Sequence, residues 1–286
     1  MTMTGTLLSR VKRLLNRYDI RPRKGLGQNF LVDEQVLSRI VSAAEISAQD
    51  VLVEVGPGLG LLTRELAGKA RQVIGIELDP RLAELLRREM ADVANLTIVE
   101  GDVLDYPPAE LLSRHAGGGT EFKVVGNLPY YVASAVLRHY LEAAVKPSLM
   151  VVTVQKEVGQ AIAATSAKAS LLSLSVQLYA RPQVVTIVPP SAFHPPPRVQ
   201  SIVLRLDTLP APAVEVSDSE GFFSLVRAGF TSRRKQLRNS LAQGLKTTPE
   251  ETVSLLNAVG IDPRRRAETL TLGEWRAIWE KRGTPA

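Results

Sequence analysis

The sequence has no cysteine, which excludes disulfide frameworks, thiolate metal sites and cysteine nucleophiles. Only three histidines occur, His115, His139 and His194, and none stands in a spacing that holds a metal ion. No apolar run approaches the roughly 18 residues of a membrane span. The basic start (Arg10, Lys12, Arg13, Arg17) lacks the apolar stretch and cleavage site of an export signal. Together these absences predict a cytoplasmic protein, away from any membrane, whose chemistry depends on neither a metal nor a thiol.

One further scarcity is local. Residues 227–246 hold six basic side chains (Arg227, Arg233, Arg234, Lys235, Arg238, Lys246) and no acid. Residues 1–28 hold seven (Arg10, Lys12, Arg13, Arg17, Arg21, Arg23, Lys24) against Asp19 alone. Each block carries +6, equal to the formal charge of the whole chain, so the remainder nets −6. Such polarisation is the footprint of a polyanion-binding protein, with nucleic acid the expected partner; two solvated helix faces are the alternative on charge alone.

In bulk the 286 residues are ordinary, 45% apolar and 22% charged, and the length suggests about two domains. Short β-branched runs recur at residues 51–55, 72–77, 96–100, 122–126 and 149–154, separated by helix-like segments. That alternation predicts βαβ units and a parallel sheet covered on both faces. Two later runs, 176–180 and 202–206, flank a proline-rich stretch (Pro189, Pro190, Pro195, Pro196, Pro197) and predict an antiparallel hairpin at the sheet edge. Beyond Leu206 come Pro210 and Pro212, then three S/T-x-x-E helix starts: Ser217 with Glu220, Thr248 with Glu251, and Thr271 with Glu274. They predict an all-helical tail beyond a boundary near residue 210.

Glu54-Val-Gly56-Pro-Gly58-Leu-Gly60 closes the first run. Glycines there let the backbone turn sharply and approach a ligand with no β-carbon in the way. A dinucleotide loop would place its third glycine at position 61, which is Leu61; the spacing instead resembles the glycine loop of S-adenosyl-L-methionine-dependent methyltransferases. Glu77 ends the second run, where α/β nucleotide folds present a carboxylate to ribose hydroxyls, and Asp102 follows the third, placed to accept from an adenine amino group. Each acid singly also suits a helix N-cap.

Asn127-Leu128-Pro129-Tyr130 follows the fourth run. The exocyclic nitrogen of adenine is a poor nucleophile because its lone pair is delocalised into the ring. A side-chain amide oxygen (Asn127) and a main-chain carbonyl (Leu128) that accept hydrogen bonds from it favour a pyramidal nitrogen and stabilise its growing positive charge. Pro129 fixes the local φ, and Tyr130 offers a ring on which the base can stack. As an isolated tetrapeptide the same residues suit a simple turn.

Six ordered motifs over residues 21–270 resemble the ribosomal RNA adenine N6-dimethyltransferase family: Gly27-Gln28-Asn29-Phe30-Leu31, the glycine loop, Asn127 to Tyr130, Gln155-Lys156-Glu157-Val158, Phe193-His194-Pro195-Pro196-Pro197 with Val199 and Ser201, and Arg233-Arg234-Lys235-Gln236-Leu237-Arg238-Asn239. The resemblance implies a Rossmann-like class I methyltransferase sheet with a small helical C-terminal domain. By it, residues 1–24 form a basic extension, 25–208 the methyltransferase domain and 209–286 a helical RNA-binding domain. It implies S-adenosyl-L-methionine as cofactor, held by Asn29, Leu31, Gly56, Gly58, Glu77, Asp102 and Asn127. Chemistry then falls to Asn127, Leu128, Pro129 and Tyr130, with Phe193 opposite Tyr130 across the target base, and RNA phosphates to Arg21, Arg23, Lys24, Arg233, Arg234, Lys235 and Arg238. The implied product is two adjacent dimethylated adenosines near the 3′ end of small-subunit ribosomal RNA, made by a monomer acting on an immature subunit. The sequence departs from the commonest family pattern at Tyr131 and Gln200, where Asn and Asp are frequent.

Three alternatives stay open on sequence. One is a large-subunit adenine methyltransferase of the macrolide-resistance type. The others are a non-catalytic RNA-binding assembly or transcription factor, and a nicotinamide-dependent oxidoreductase, which Leu61 disfavours.

Overall fold

The computed structural model describes residues 5–118, 121–164, 169–232 and 234–283. The chain forms two compact units, one of Met1–Gly159 with Pro182–Thr208, the other of Gln160–Arg181 with Leu209–Ala286. In chain order the elements are α1 (Leu7–Arg17), β1 (Phe30–Leu31), α2 (Glu34–Ala43), β2 (Val51–Val55), α3 (Leu61–Ala67), β3 (Gln72–Glu77), α4 (Pro80–Glu89), β4 (Leu96–Glu100), α5 (Pro108–His115), β5 (Lys123–Asn127), α6 (Ala133–Leu141) and β6 (Leu149–Gln155). There follow α7 (Lys156–Ala163), α8 (Leu171–Tyr179), β7 (Ala180–Val188), β8 (Phe193–His194), β9 (Ser201–Thr208), α9 (Ser219–Gly229), α10 (Leu237–Leu245), α11 (Pro249–Ala258) and α12 (Leu272–Gly283).

Seven strands form one sheet in the order β4-β3-β2-β5-β6-β9-β7. The neighbours from β4 to β6 are parallel, and β9 runs antiparallel to β6. Every residue of β2 is buried, as a central parallel strand covered on both faces must be. From β2 the chain winds outward through β3 and β4, then returns to β5 on the other side. The reversal opens a crevice beyond the carboxyl ends of β2 and β5, where open α/β sheets bind ligands.

The five parallel strands lie where the β-branched runs place them, to within a residue. The run at 176–180 does not form a strand. Leu174, Val176 and Leu178 alternate with polar residues as a strand's would, yet they belong to α8, which Ser170 and Ser173 start with a reciprocal capping box. Because α8 buries both its Leu and its Ser side chains, apolar spacing alone misreads it. The hairpin partner of β9 is therefore β7, which begins as α8 ends and carries Pro182 on the sheet edge, where proline is tolerated. The inclusion of Gln160–Arg181 also starts the second unit's chain well before residue 209.

The helix α1 lies in the same compact unit as the sheet. Thr6 caps the helix. Its apolar face, Val11 and Leu15 with Ile20 just beyond, packs with Phe30, Leu59, Leu82 and Leu85. Arg17 pairs with Glu89 at 2.9 Å, and the Tyr18 hydroxyl donates to the same carboxylate at 2.6 Å.

In the second unit, Phe222, Val226, Leu237, Leu241, Leu256, Trp275 and Ile278 are buried. Two predicted helix starts hold: Thr248 and Glu251 form a reciprocal capping box, and Thr271 and Glu274 exchange the same pair of bonds. The third shifts by one residue, since Asp218, not Ser217, caps α9 by accepting from the Gly221 N–H. A carboxylate is the stronger acceptor for orphan N–H groups at a positive helix end.

Candidate active site

A cleft open to solvent, with a cavity volume of about 130 Å³, lies over the carboxyl ends of β2, β3 and β5. All seven residues that the sequence points to for a cofactor line it: Asn29, Leu31, Gly56, Gly58, Glu77, Asp102 and Asn127. The turn after β2 holds Gly56 and Gly58 at φ of +69° and +61°, a left-handed conformation that strains other residues. A β-carbon on Gly58 would lie 3.2 Å from the Phe30 ring, whereas one on Gly56 would meet no protein atom within 4 Å. The Gly56 backbone therefore faces open cleft, free for close approach by a ligand.

Glu77 is held by main-chain donors. One carboxylate oxygen accepts from the Gly58 N–H at 2.9 Å and the other from the Asp79 N–H at 3.0 Å. Burial raises its pKa and these N–H groups oppose the rise. Both oxygens keep a second lone pair, so the carboxylate is oriented while still able to accept from a ligand hydroxyl. Glu54, at the end of β2, is 1% exposed. Burial pushes its carboxyl up to about 8, which Thr63 opposes and the nearby charge of Glu77 assists. Asp102 accepts from the Leu104 N–H at 3.0 Å, so it caps a turn and lines the cleft at once.

Two residues without a predicted role brace this set. Asp79, fully buried, accepts from Gln28 Nε2 at 2.8 Å and from Arg81 through Nε at 3.0 Å and Nη2 at 2.6 Å. Burial alone would raise Asp79; the bonds from Arg81 and Gln28 outweigh it and hold the carboxyl down to about 2. Gln28 in turn accepts from the Arg23 N–H at 2.7 Å. The segment around Gly27 to Leu31 is thus anchored to the turn that carries Glu77. Its other anchor is a two-residue ladder in which Leu31 pairs with Phe193 and Phe30 with His194, which brings together two motifs far apart in the sequence.

Asn127 ends β5 and reaches the cleft. Its Nδ2 donates to the Asn29 carbonyl at 2.9 Å. A carbonyl can only accept, so this contact fixes the amide with nitrogen toward Asn29 and leaves Oδ1 as the acceptor for a ligand. The Leu128 N–H donates to the Thr153 carbonyl at 3.2 Å, which sets the plane of its peptide. Pro129 lines the cleft; Leu128, Tyr130 and Phe193 lie outside its lining. The half-buried Tyr130 has its hydroxyl 2.6 Å from Ser201 Oγ.

Phe193, which the resemblance implies stacks on the target base, is a core side chain. It is 4% exposed and packs in the cluster of Ile40, Leu52, Val125, Val151 and Val203. Its backbone pairs with Leu31, which lines the cleft. Sequence reasoning also passed over Leu78 and Tyr131, large side chains that line the cleft while exposed. Exposure is not written in a residue type, and only the departure at Tyr131 could have drawn attention.

A family model described as ribosomal RNA adenine dimethylase matches residues 20–281. The chain belongs to that family. Among its relatives, the ribosomal RNA small subunit methyltransferase A of Dehalococcoides mccartyi (strain ATCC BAA-2266 / KCTC 15142 / 195) is 46% identical over 278 residues, 97% of this chain and 94% of that protein. The protein of the same name from Bacillus mycoides (strain KBAB4) is 40% identical over 275 residues, 94% of each chain. Of solved structures, the 23S rRNA methyltransferase ErmE is 30% identical with a TM-score of 0.69, covering 88% of this chain and 99% of its own. A dimethyladenosine transferase from Plasmodium falciparum shares the fold, at 22% identity and a TM-score of 0.72 over 87% of this chain and 95% of its own.

As an rRNA adenine dimethylase, the chain needs a grip on RNA phosphates. Arg21, Arg23 and Lys24 are exposed on the first unit, and Arg234, Lys235 and Arg238 on the second. Among the described residues none of the six forms an ion pair, although Lys235 donates to Gln243 at 3.3 Å. Arg233 lies outside the described residues. Among the described residues no helix is long and apolar enough to cross a membrane.

Proposed function

We propose that this chain transfers methyl groups from S-adenosyl-L-methionine to the N6 amino groups of two adjacent adenosines near the 3′ end of small-subunit ribosomal RNA, dimethylating each, within an immature subunit in the cytoplasm and as a monomer. The observation that carries the reading is the fixed amide of Asn127, whose oxygen is left to the cleft by the bond to Asn29.

The residues suit the cofactor. Gly56 leaves room for a ligand against the backbone, Glu77 is oriented to accept from ribose hydroxyls, and Asp102 is placed to accept from the adenine amino group. When bound, the cofactor supplies a methyl group on a cationic sulfur, already activated for transfer. Asn127 Oδ1 and the Leu128 carbonyl accept from the target amino group and stabilise positive charge as it develops on that nitrogen. Tyr130, held by Ser201, offers its ring to the extruded base. Alignment of this kind accounts for about 7–11 kcal/mol of a barrier. No side chain need act as base, because the nitrogen becomes strongly acidic once alkylated and its proton passes to solvent. Arg21, Arg23, Lys24, Arg234, Lys235 and Arg238 grip RNA phosphates.

The choice of small-subunit RNA over the 23S RNA named for ErmE is supported by higher identity to the small-subunit enzymes, 46% against 30%. The test is incubation with radiolabelled S-adenosyl-L-methionine and immature small subunits, followed by location of the label. Label on N6 of two adjacent adenosines near the 3′ end is expected; label only in large-subunit RNA, or none, would reject the reading.

A further inference from the structure

Five large apolar side chains are exposed among the described residues, and two of them, Leu78 at 41% and Tyr131 at 61%, line the cofactor cleft. Leu78 follows Glu77 directly, and Tyr131 lies on the loop between Asn127 and α6. The Tyr131 ring lies beside Gly27, where a β-carbon would be 3.8 Å from its Cδ1. Partial burial, followed by the charges of Asp102 and Glu77, raises its phenol, which places the ring near the two acids proposed to receive an adenosine. It takes part in none of the ring–ring contacts found among the described residues. An aromatic ring left this open, beside acceptors suited to a nucleoside, has a face ready for a base.

We propose that Tyr131 is a positioning residue for the cofactor, its ring stacking on the adenosine moiety while Leu78 supports that moiety along the β3 side, so that the two close the mouth of the cleft. The inference rests on the cofactor reading above and adds a wall to the site that the glycine loop and the acids do not provide. It also gives a physical role to a position where the sequence departs from the common family pattern: a ring contributes stacking area that an amide at the same place does not.

The test uses the full chain in isothermal titration with S-adenosyl-L-homocysteine and, separately, with adenosine, for wild type, Tyr131→Asn and Tyr131→Phe. Because Tyr131 is exposed, the variants should keep the wild-type unfolding midpoint without ligand. Tyr131→Asn should weaken both ligands about tenfold, within the span of base–aromatic stacking, and Tyr131→Phe should stay within about twofold of wild type. Affinity for small-subunit RNA should be unchanged in both. Unaltered affinity of Tyr131→Asn for both ligands would overturn the inference alone, as would a loss confined to RNA, which would make the ring a platform for an RNA base. A wild-type chain that binds neither ligand would overturn the cofactor reading and this inference with it.

Discussion

Replacing Asp79 by Asn tests whether the cleft is held open by one buried charge. Asn caps a helix as well as Asp, so α4 keeps its start and the substitution isolates the carboxylate. Oδ1 accepts from the Arg81 main chain and Nε, and Oδ2 from Gln28 and Arg81 Nη2. An amide must therefore set its own N–H₂ against at least one donor. The displacement of the carboxyl from its ordinary 3.8 to about 2 corresponds to about 2.5 kcal/mol at ~1.36 kcal/mol per pH unit. A carboxyl held low stabilises the fold above its ordinary value and loses that contribution as pH falls through about 2. Urea unfolding should thus show Asp79→Asn less stable by about 2.5 kcal/mol at pH 7, and by about half that at pH 3. Cofactor affinity should fall as well, because Gln28 loses its anchor. Equal stability at pH 7, or a gap that does not narrow in acid, would refute the reasoning.

Glu54 should give the opposite pH trend. Its carboxyl is ordinarily near 4.5 and is raised to about 8, so the unfolded chain ionises first and stability falls as pH climbs between those values; from pH 5 to 7 the wild type should lose roughly 2–3 kcal/mol that Glu54→Gln does not, as read by urea midpoints at both pH values. Phe193→Ala should cost about 3–5 kcal/mol of stability, the cost of emptying a core site; a stable variant impaired only in turnover would restore the ring to the target base. Changing Arg234, Lys235 and Arg238 together to Gln should lower the slope of log affinity for RNA against log salt by about 2–3 and leave S-adenosyl-L-homocysteine affinity unchanged in titration.

Much of the cleft was legible because each of its main residues ends a strand that announces itself. The runs closing on Glu54, Glu77 and Asn127 are continuous β-branched segments, so the sites just past them could be numbered before the strands were seen. What could not be read was pairing across distance. Gln28 and Asp79 are 51 residues apart, and neither type nor spacing shows that one orients the other. Nor does a motif show burial: the Phe193 side chain packs in the core cluster while its backbone pairs with Leu31. In α8 the alternation of Leu174, Val176 and Leu178 spoke for a strand, and a serine capping box decided for a helix. Leu7, Leu8, Val11, Leu14 and Leu15 have helical spacing, but spacing does not show that the helix packs on α4 through Leu82 and Leu85.

The central claim is that an amide oxygen at position 127 makes the adenine nitrogen reactive. Its most direct test is single-turnover methyl transfer to small-subunit RNA by Asn127→Ala at saturating cofactor. A rate about 10²–10³ lower, with RNA affinity near that of wild type, is what the account predicts; transfer at close to the wild-type rate would contradict it.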